Sequence, residues 1–303
     1  MDSSWINRLE QFGYKARIIS IDHLGDLKNE IKHLEENELI DTDLQVWLDG
    51  YYDFSIPQGE HAIKSLVAVA SPSPQIRFHF DWKGKTHGFI LPPTYFEYDI
   101  QGGNIIERLD SIFAGSNFHF VEAKNLPNKL IAVSSGLGLY GKNNLVYVDG
   151  FGSFVLLTIF YTDLPCTDEM WAPLQRMKSC AKCNLCVINC PTAALTTQRK
   201  TIKSSQCVTR HNESNAESFP DWMSPSSHNS LVGCMRCQVV CPKNRKYLDS
   251  IIEHTHFDEA ETQLIMAREN VDKLPRPLFT RLEQANLLSH YDYLARNLSV
   301  LLN

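Results

Sequence analysis

The chain has 303 residues, 43% hydrophobic and 21% charged, with 29 basic against 35 acidic side chains for a formal net charge of −6. That composition fits one large globular domain or two to three small ones, and it excludes a disordered or fibrous chain. It carries no global basic field to hold a polyanion, which argues against a free-standing nucleic-acid binder.

The first twelve residues, MDSSWINRLEQF, lack the basic start and apolar core of a secretory signal. A helix is expected over 4–12, with Trp5, Leu9 and Phe12 at helical spacing and Gly13 as its stop. Arg17 to Ile21 reads as a strand, His23 to Glu38 as a charged amphipathic helix, and Leu66 to Ala70 as a buried strand. Ile76 to Trp82 alternates and meets the turn Lys83-Gly84-Lys85 before Gly88 to Leu91, which predicts a hairpin. A helix near Asn104 to Ala114, a strand from Phe118 to Val121 and a helix from Leu126 to Val133 follow. A second hairpin is expected where Asp149-Gly150 separates Leu145–Val148 from Phe154–Tyr161. Phe154 to Tyr161 is also the longest apolar stretch, far short of the roughly 20 residues that span a bilayer. A cytoplasmic chain with no membrane segment is therefore expected. Residues 251–303 read as helical, at Ala260 to Arg268, Leu278 to Leu288 and Tyr291 to Leu302. The pattern predicts an α/β domain over 1–165, a cysteine-rich domain over 166–250 and a helical C-terminal segment over 251–303.

All nine cysteines follow residue 165, and eight lie between Cys180 and Cys241. Crowded into one segment of a chain without a signal, they indicate metal rather than disulfides. Cys180-x2-Cys183-x2-Cys186-x3-Cys190-Pro191 is the bacterial ferredoxin run, in which three thiolates wrap one cluster and the displaced fourth ligates another. The reciprocal set is Cys234-x2-Cys237-x3-Cys241-Pro242, with Cys207 supplying the missing thiolate. The ferredoxin rule puts Cys180, Cys183, Cys186 and Cys241 on one [4Fe–4S] cluster, and Cys190, Cys207, Cys234 and Cys237 on the other. Structural zinc also takes four cysteines, but it usually pairs two separated CxxC knuckles. Cys166 is left over, a packed thiol or a thiol beside the substrate.

Gly136-Leu-Gly-Leu-Tyr-Gly141-Lys142-Asn143 lacks the Ser or Thr of a P-loop, and its helix-before-strand context is inverted, so nucleotide hydrolysis is rejected. Its glycines serve either a tight turn or close backbone approach to something large and polar. Glu122 ends a strand; beside a redox centre it would be a general acid. His211, Asn212, Glu213, His228 and Asn229 sit in the cysteine segment, as loop caps or as donors to cluster sulfurs. Eight basic residues stand against three acidic ones between 196 and 246, a mild excess that reads as a solvated face rather than an RNA surface.

The stretch FVEAKNLPNKLIAVSSGLGLYGK from Phe120 to Lys142, Gly152-Ser153, the TDLP of Thr162 to Pro165 and the run GCMRCQVVCPKNRK together resemble the epoxyqueuosine reductase family. Ala295-Arg296-Asn297-Leu298 resembles the start of that family's helical repeat tail, here cut short. The resemblance implies an α/β (α+β) fold: a nitroreductase-like mixed sheet domain holding a cobalamin, a ferredoxin-like double-cluster domain and a short helical tail. It implies electrons from a ferredoxin- or flavodoxin-type donor, passing through both clusters to cobalt and on to the substrate. Gly136, Gly138, Tyr140, Gly141 and Lys142 would contact the corrin, and Glu122 would donate the proton. The tRNA-modifying members carry Asp at the position of Glu122, and the region Pro92 to Tyr95 does not read like theirs. With the acidic balance and the short tail, this argues for a side branch acting on a small or nucleoside-like electrophile rather than on tRNA. The alternative is a ferredoxin-like electron carrier whose α/β domain docks a partner and binds no corrin.

Overall fold

A computed structural model describes residues 4–59, 61–168, 170–197 and 201–303. Its first part runs α1 (Ser4–Gln11), β1 (Lys15–Ser20), α2 (Leu24–Glu36), α3 (Thr42–Tyr51), β2 (Ser65–Pro72), β3 (Gln75–Trp82) and β4 (Lys85–Leu91). Then come α4 (Tyr98–Ile112), β5 (Phe120–Glu122), α5 (Asn128–Ser134), β6 (Leu139–Tyr140), β7 (Val146–Tyr147) and β8 (Val155–Thr162). The cysteine segment holds only short helices, α6 (Leu185–Ile188), α7 (Val208–Asn212) and α8 (Arg236–Val239). The chain ends in β9 (Ile251–Phe257), α9 (Glu259–Met266), α10 (Arg276–Gln284) and α11 (Tyr291–Leu302). Arg199 and Lys200, two of the basic residues counted above, lie outside the described residues.

The first compact unit comprises Met1–Ser73, Tyr98–Asn184 and Leu195–Lys203. Its sheet, β1-β2-β8-β5, is antiparallel throughout. Strand alternation sends Leu66, Ala68 and Ala70 to one face, with Leu24, Leu27, Ile131 and Ile159. Val67 and Val69 go to the other, with Trp5, Leu9, Ile105, Leu109 and Phe160. Both faces are covered, so β2 is an unbroken apolar run. Phe12 does not join the core: it lies past the end of α1 and is exposed. The helix α3 carries no clear apolar period, but Asp41 caps it by accepting from Leu44 N–H at 3.0 Å.

The second unit comprises Pro74–Glu97, Leu185–Ala194 and Ser204–Asn303. These units do not follow the three consecutive segments expected from the sequence, because the hairpin β3–β4 belongs with the tail. Its turn is as expected, with Lys83 and Gly84 at φ of 52° and 72°. The apolar face Ile76, Phe78 and Phe80 is covered by Phe257, Ile265, Leu278, Leu282, Tyr291, Leu294 and Leu298. The tail therefore supplies half of a core, each fully buried large side chain contributing about 1.5–3 kcal/mol. It is not all helical: Ile251–Phe257 forms β9, parallel to β3 in the order β4-β3-β9.

The second expected hairpin is also corrected. Its turn exists, with Gly150 at φ 85° and a bridge between Val148 and Gly152, but the strands part. Strand β7 pairs with β6, whereas β8 lies between β2 and β5.

On the polar face of the second sheet, Arg77 and His79 reach Glu253 at 2.6 and 2.7 Å, and His256 reaches Asp81 at 2.9 Å. The His79 hydrogen bond, then the Arg77 charge, holds Glu253 below the usual carboxylate range; Thr86, then His256, does so for Asp81. A carboxylate with a depressed folded-state pKa adds stability above its unfolded value, near 4, and loses it as pH falls through the folded value. The apparent melting temperature should therefore drop between about pH 5 and 3, and less steeply in Glu253→Gln. Parallel pH profiles for the two proteins would remove Glu253 from this account.

Candidate metal centre

Within the second unit three of the expected ligands converge. Cys207 is the N-cap of α7 and lies within electrostatic reach of Cys234, which is likewise close to Cys190. Burial pushes the Cys207 and Cys234 thiols up, and each neighbouring sulfur adds to the effect. Thiolates crowded this closely at a low-dielectric site would repel one another unless cations sat between them, which is what the irons of a cluster supply. The donor set therefore fits an iron–sulfur cluster by its own chemistry. Asn229 behaves as one of the two readings expected: its Nδ2 donates to Cys234 Sγ at 3.2 Å, and its Oδ1 accepts from Met235 N–H at 2.8 Å. His211 instead meets the Ser205 carbonyl at 2.9 Å, and buried His228 packs on Phe219. Cys237 sits on α8, and α6, which carries Cys186, packs against that helix. Cys241 is the N-cap of the following helical turn.

Tyr95 is a neighbour of this site that sequence reasoning missed. Half-buried beside Cys207, it donates to Glu213, and burial first, then the Glu213 charge, raises its phenol well above the ordinary value. Gly233, next to Cys234, has φ 62°, and a Cβ there would lie 2.5 Å from the Tyr95 hydroxyl oxygen. Only glycine satisfies both demands.

In the first unit, the loop 136–142 anchors the segment leading to the first cysteines. Tyr140 N–H donates to the Gln175 carbonyl and Met177 N–H to the Tyr140 carbonyl, both at 2.9 Å. The Lys142 ammonium donates to the Cys183 carbonyl at 2.8 Å and to Asn184 Oδ1 at 2.7 Å. Added Cβ atoms at Gly136, Gly138 and Gly141 would meet Met170, Val146 and Asn143 at 2.4, 2.6 and 2.4 Å. The close approach these glycines allow is thus of the chain to itself. A ligand would meet the loop along its Leu139 edge, which is 38% exposed. The Gly136, Gly138, Tyr140 and Gly141 N–H groups are all bonded within the chain, so what the loop offers a large ring such as a corrin is a braced, apolar edge. Burial raises the Tyr140 phenol, which lies near Tyr52 and Glu30. Tyr52, Lys28, Lys32 and Glu35 line a cavity of 960 Å³ between α2 and α3. Cys166 packs at the edge of the Trp5–Phe160 core.

Glu122 ends β5, as expected, paired with Phe160 in the sheet, while its side chain has no hydrogen bond or ion pair among the described residues. Its carboxylate lies over α4 at Gly102, where an added Cβ would come within 2.3 Å of Oε2. No sequence signal marked Gly102, because the requirement comes from another element. Alanine there improves helix propensity by up to about 1 kcal/mol, while the carboxylate, at the end of a flexible side chain, has to move. Gly102→Ala is expected to melt no lower than the parent and to displace Glu122; a lower melting temperature would show that the contact is structural.

This fold and thiol set define an iron–sulfur oxidoreductase. A family profile described as "4Fe-4S double cluster binding domain" matches residues 179–244, which contain all eight expected ligands. Epoxyqueuosine reductase of Atelocyanobacterium thalassa is 30% identical over 246 residues, covering 80% of this chain and 79% of that protein. The Pseudomonas aeruginosa enzyme is 32% identical over 142 residues, 46% of this chain and 38% of its own length. Among solved structures, epoxyqueuosine reductase from Bacillus subtilis superposes with a TM-score of 0.67 at 19% identity, over 98% of this chain and 80% of that one. Another, solved with an epoxyqueuosine-modified tRNA-Tyr stem loop, gives 0.64 at 18% identity over the same shares. The chain belongs to the epoxyqueuosine reductase family. No helix among the described residues is long and apolar enough to cross a membrane.

Proposed function

We propose that this reductase passes electrons through two [4Fe–4S] clusters to a corrin held by its α/β domain, and thence to a small or nucleoside-like electrophile. The convergence of Cys190, Cys207 and Cys234 in a chain of this family carries the reading. Cys180, Cys183, Cys186 and Cys241 would hold the other cluster, and a ferredoxin- or flavodoxin-type protein would supply the electrons. A corrin, when bound, supplies a strongly reducing, nucleophilic metal centre. The chain's own residues do the rest. Gly136, Gly138, Tyr140, Gly141 and Lys142 form a braced loop against which the ring rests. Glu122, whose side chain has no hydrogen-bond or ion-pair partner among the described residues, would supply the proton that the reduced product takes up. The 960 Å³ cavity has room for a nucleoside. Asp53 on its rim donates its N–H to the Asn125 carbonyl at 3.0 Å, three residues beyond Glu122. The acidic balance favours a nucleoside-like substrate over intact tRNA.

The test is iron and cobalt per chain, on protein purified without oxygen from cells fed cobalamin. About eight irons and one cobalt support the proposal. Eight irons with no cobalt, and none taken up on adding corrin, would make the chain an electron carrier. Turnover of free epoxyqueuosine nucleoside against an epoxyqueuosine-bearing stem loop then separates the substrate classes. Glu122→Gln should lower that turnover about 10²- to 10⁴-fold at unchanged iron content; full turnover would take the proton from another group.

A further inference from the structure

The end of β8 gathers three metal-ligating side chains that neither the clusters nor the corrin reading uses. Phe120 pairs with Thr162, so His119 and Asp163 come next to each other at the sheet's end. On the other flank Ser65 pairs with Thr162, and Lys64 N–H donates to its carbonyl at 2.9 Å, which brings in His61 from the preceding loop. The ligating atoms of His61, His119 and Asp163 lie within 4.8 Å of one another.

The carboxylate is aimed. His119 N–H donates to Asp163 Oδ1 at 2.8 Å, leaving Oδ2 to face both imidazoles, 3.5 Å from His119 Nδ1 and 3.8 Å from His61 Nδ1. Both separations exceed a charge-assisted hydrogen bond, normally about 2.7–2.9 Å. They are close to the edge of a tetrahedron whose metal–ligand bonds are about 2.0–2.2 Å, roughly 3.3–3.6 Å. The two rings stack at 3.7 Å and 14°, an arrangement that two imidazolium ions would resist. Both histidines are exposed and Asp163 only partly so, leaving the solvent side open for water. Burial raises the Asp163 carboxyl, but the His119 backbone N–H and the other groups around the carboxylate outweigh it and hold it below the usual carboxylate range.

We propose that His61, His119 and Asp163 form a surface site for a divalent transition-metal ion of the zinc class, with water completing its coordination. Two imidazoles and one carboxylate suit zinc and exclude a calcium or magnesium preference, which needs an all-oxygen shell. To bind one ion through both Nδ1 atoms, the two exposed rings would have to swing out of their stack so that their planes converge on it. The ion would then tie the loop before β2 to the β5–β8 edge.

The experiment uses full-length protein with both clusters loaded, so that the cluster cysteines are occupied, and Zn²⁺ as the probe. The parent should bind one zinc at unchanged iron content, with a rise in melting temperature. A His61→Ala, His119→Ala double variant should bind it at least about 100-fold more weakly, and Asp163→Asn at least about tenfold more weakly, both retaining their iron. Zinc binding of parental strength in the double variant would overturn the proposal, as would a parent that takes up none. Neither result depends on whether a corrin is bound.

Discussion

Cys207→Ser is expected to yield a protein with about four irons per chain where the parent holds about eight. Cys207 stands outside both cysteine runs, 17 residues after Cys190 and 27 before Cys234. It nevertheless lies half-buried beside Cys234 at the start of α7. Serine fits the space but is a poor iron ligand, so the change removes one cluster's fourth thiolate and spares Cys180, Cys183, Cys186 and Cys241. Because metal also folds this apolar-poor segment, the melting temperature should fall with the iron. Iron, acid-labile sulfide and the spectrum of the reduced protein check this, with Cys166→Ser as the control that keeps eight irons. Eight irons in Cys207→Ser would remove Cys207 from the ligand set. Loss of all eight would show that the clusters assemble only together.

The cysteines were legible because ligand spacing is local: thiolates three residues apart can wrap a cluster whatever surrounds them. The strand β2 was legible for a similar reason, since Leu66 to Ala70 has no polar residue to turn to solvent. Pairing partners were not. Asp149-Gly150 specifies a turn, but β8 pairs along its whole length with β2, which lies far earlier in the chain, and Val146–Tyr147 is too short to compete. In the tail, Ile251–Phe257 has apolar residues at both ends, and its strand conformation comes from pairing with β3, more than 170 residues earlier. The contact of Gly102 with Glu122 and the meeting of His61 with His119 likewise depend on strand order, which no local pattern encodes. Glu122 was legible as a strand end, and that its side chain has no partner among the described residues is information only the fold supplies.

The tail bears on the second cluster through a network hidden for the same reason, and Asn297→Ala is expected to be the most damaging single change in it. Asn297 is 1% exposed, and its Nδ2 donates to the carbonyls of Asn212 and Leu231, each at 2.9 Å and 85 and 66 residues away. Asn212 in turn donates to the Gly233 carbonyl at 2.8 Å. Arg296, also buried, donates to the His211 carbonyl at 2.7 Å and the Ala216 carbonyl at 2.6 Å, with its guanidinium 4.2 Å from the Phe219 ring. These contacts fix the chain on both sides of the cluster, after Cys207 and before Cys234. Alanine at 297 leaves two buried carbonyls unsatisfied, at about 1–3 kcal/mol each. A loss of about 3–5 kcal/mol is a large part of the 5–15 kcal/mol that holds an ordinary domain together. Ser299→Ala, on the same helix but with its hydroxyl donating to the carbonyl of Ala295 one turn back, should cost about 0.5 kcal/mol or less. Denaturant unfolding and iron retention on air exposure would compare them. The network predicts that Asn297→Ala sheds the iron of the Cys207 cluster first. If it instead unfolds and holds iron as Ser299→Ala does, the tail covers the apolar face of the hairpin and does nothing for the cluster.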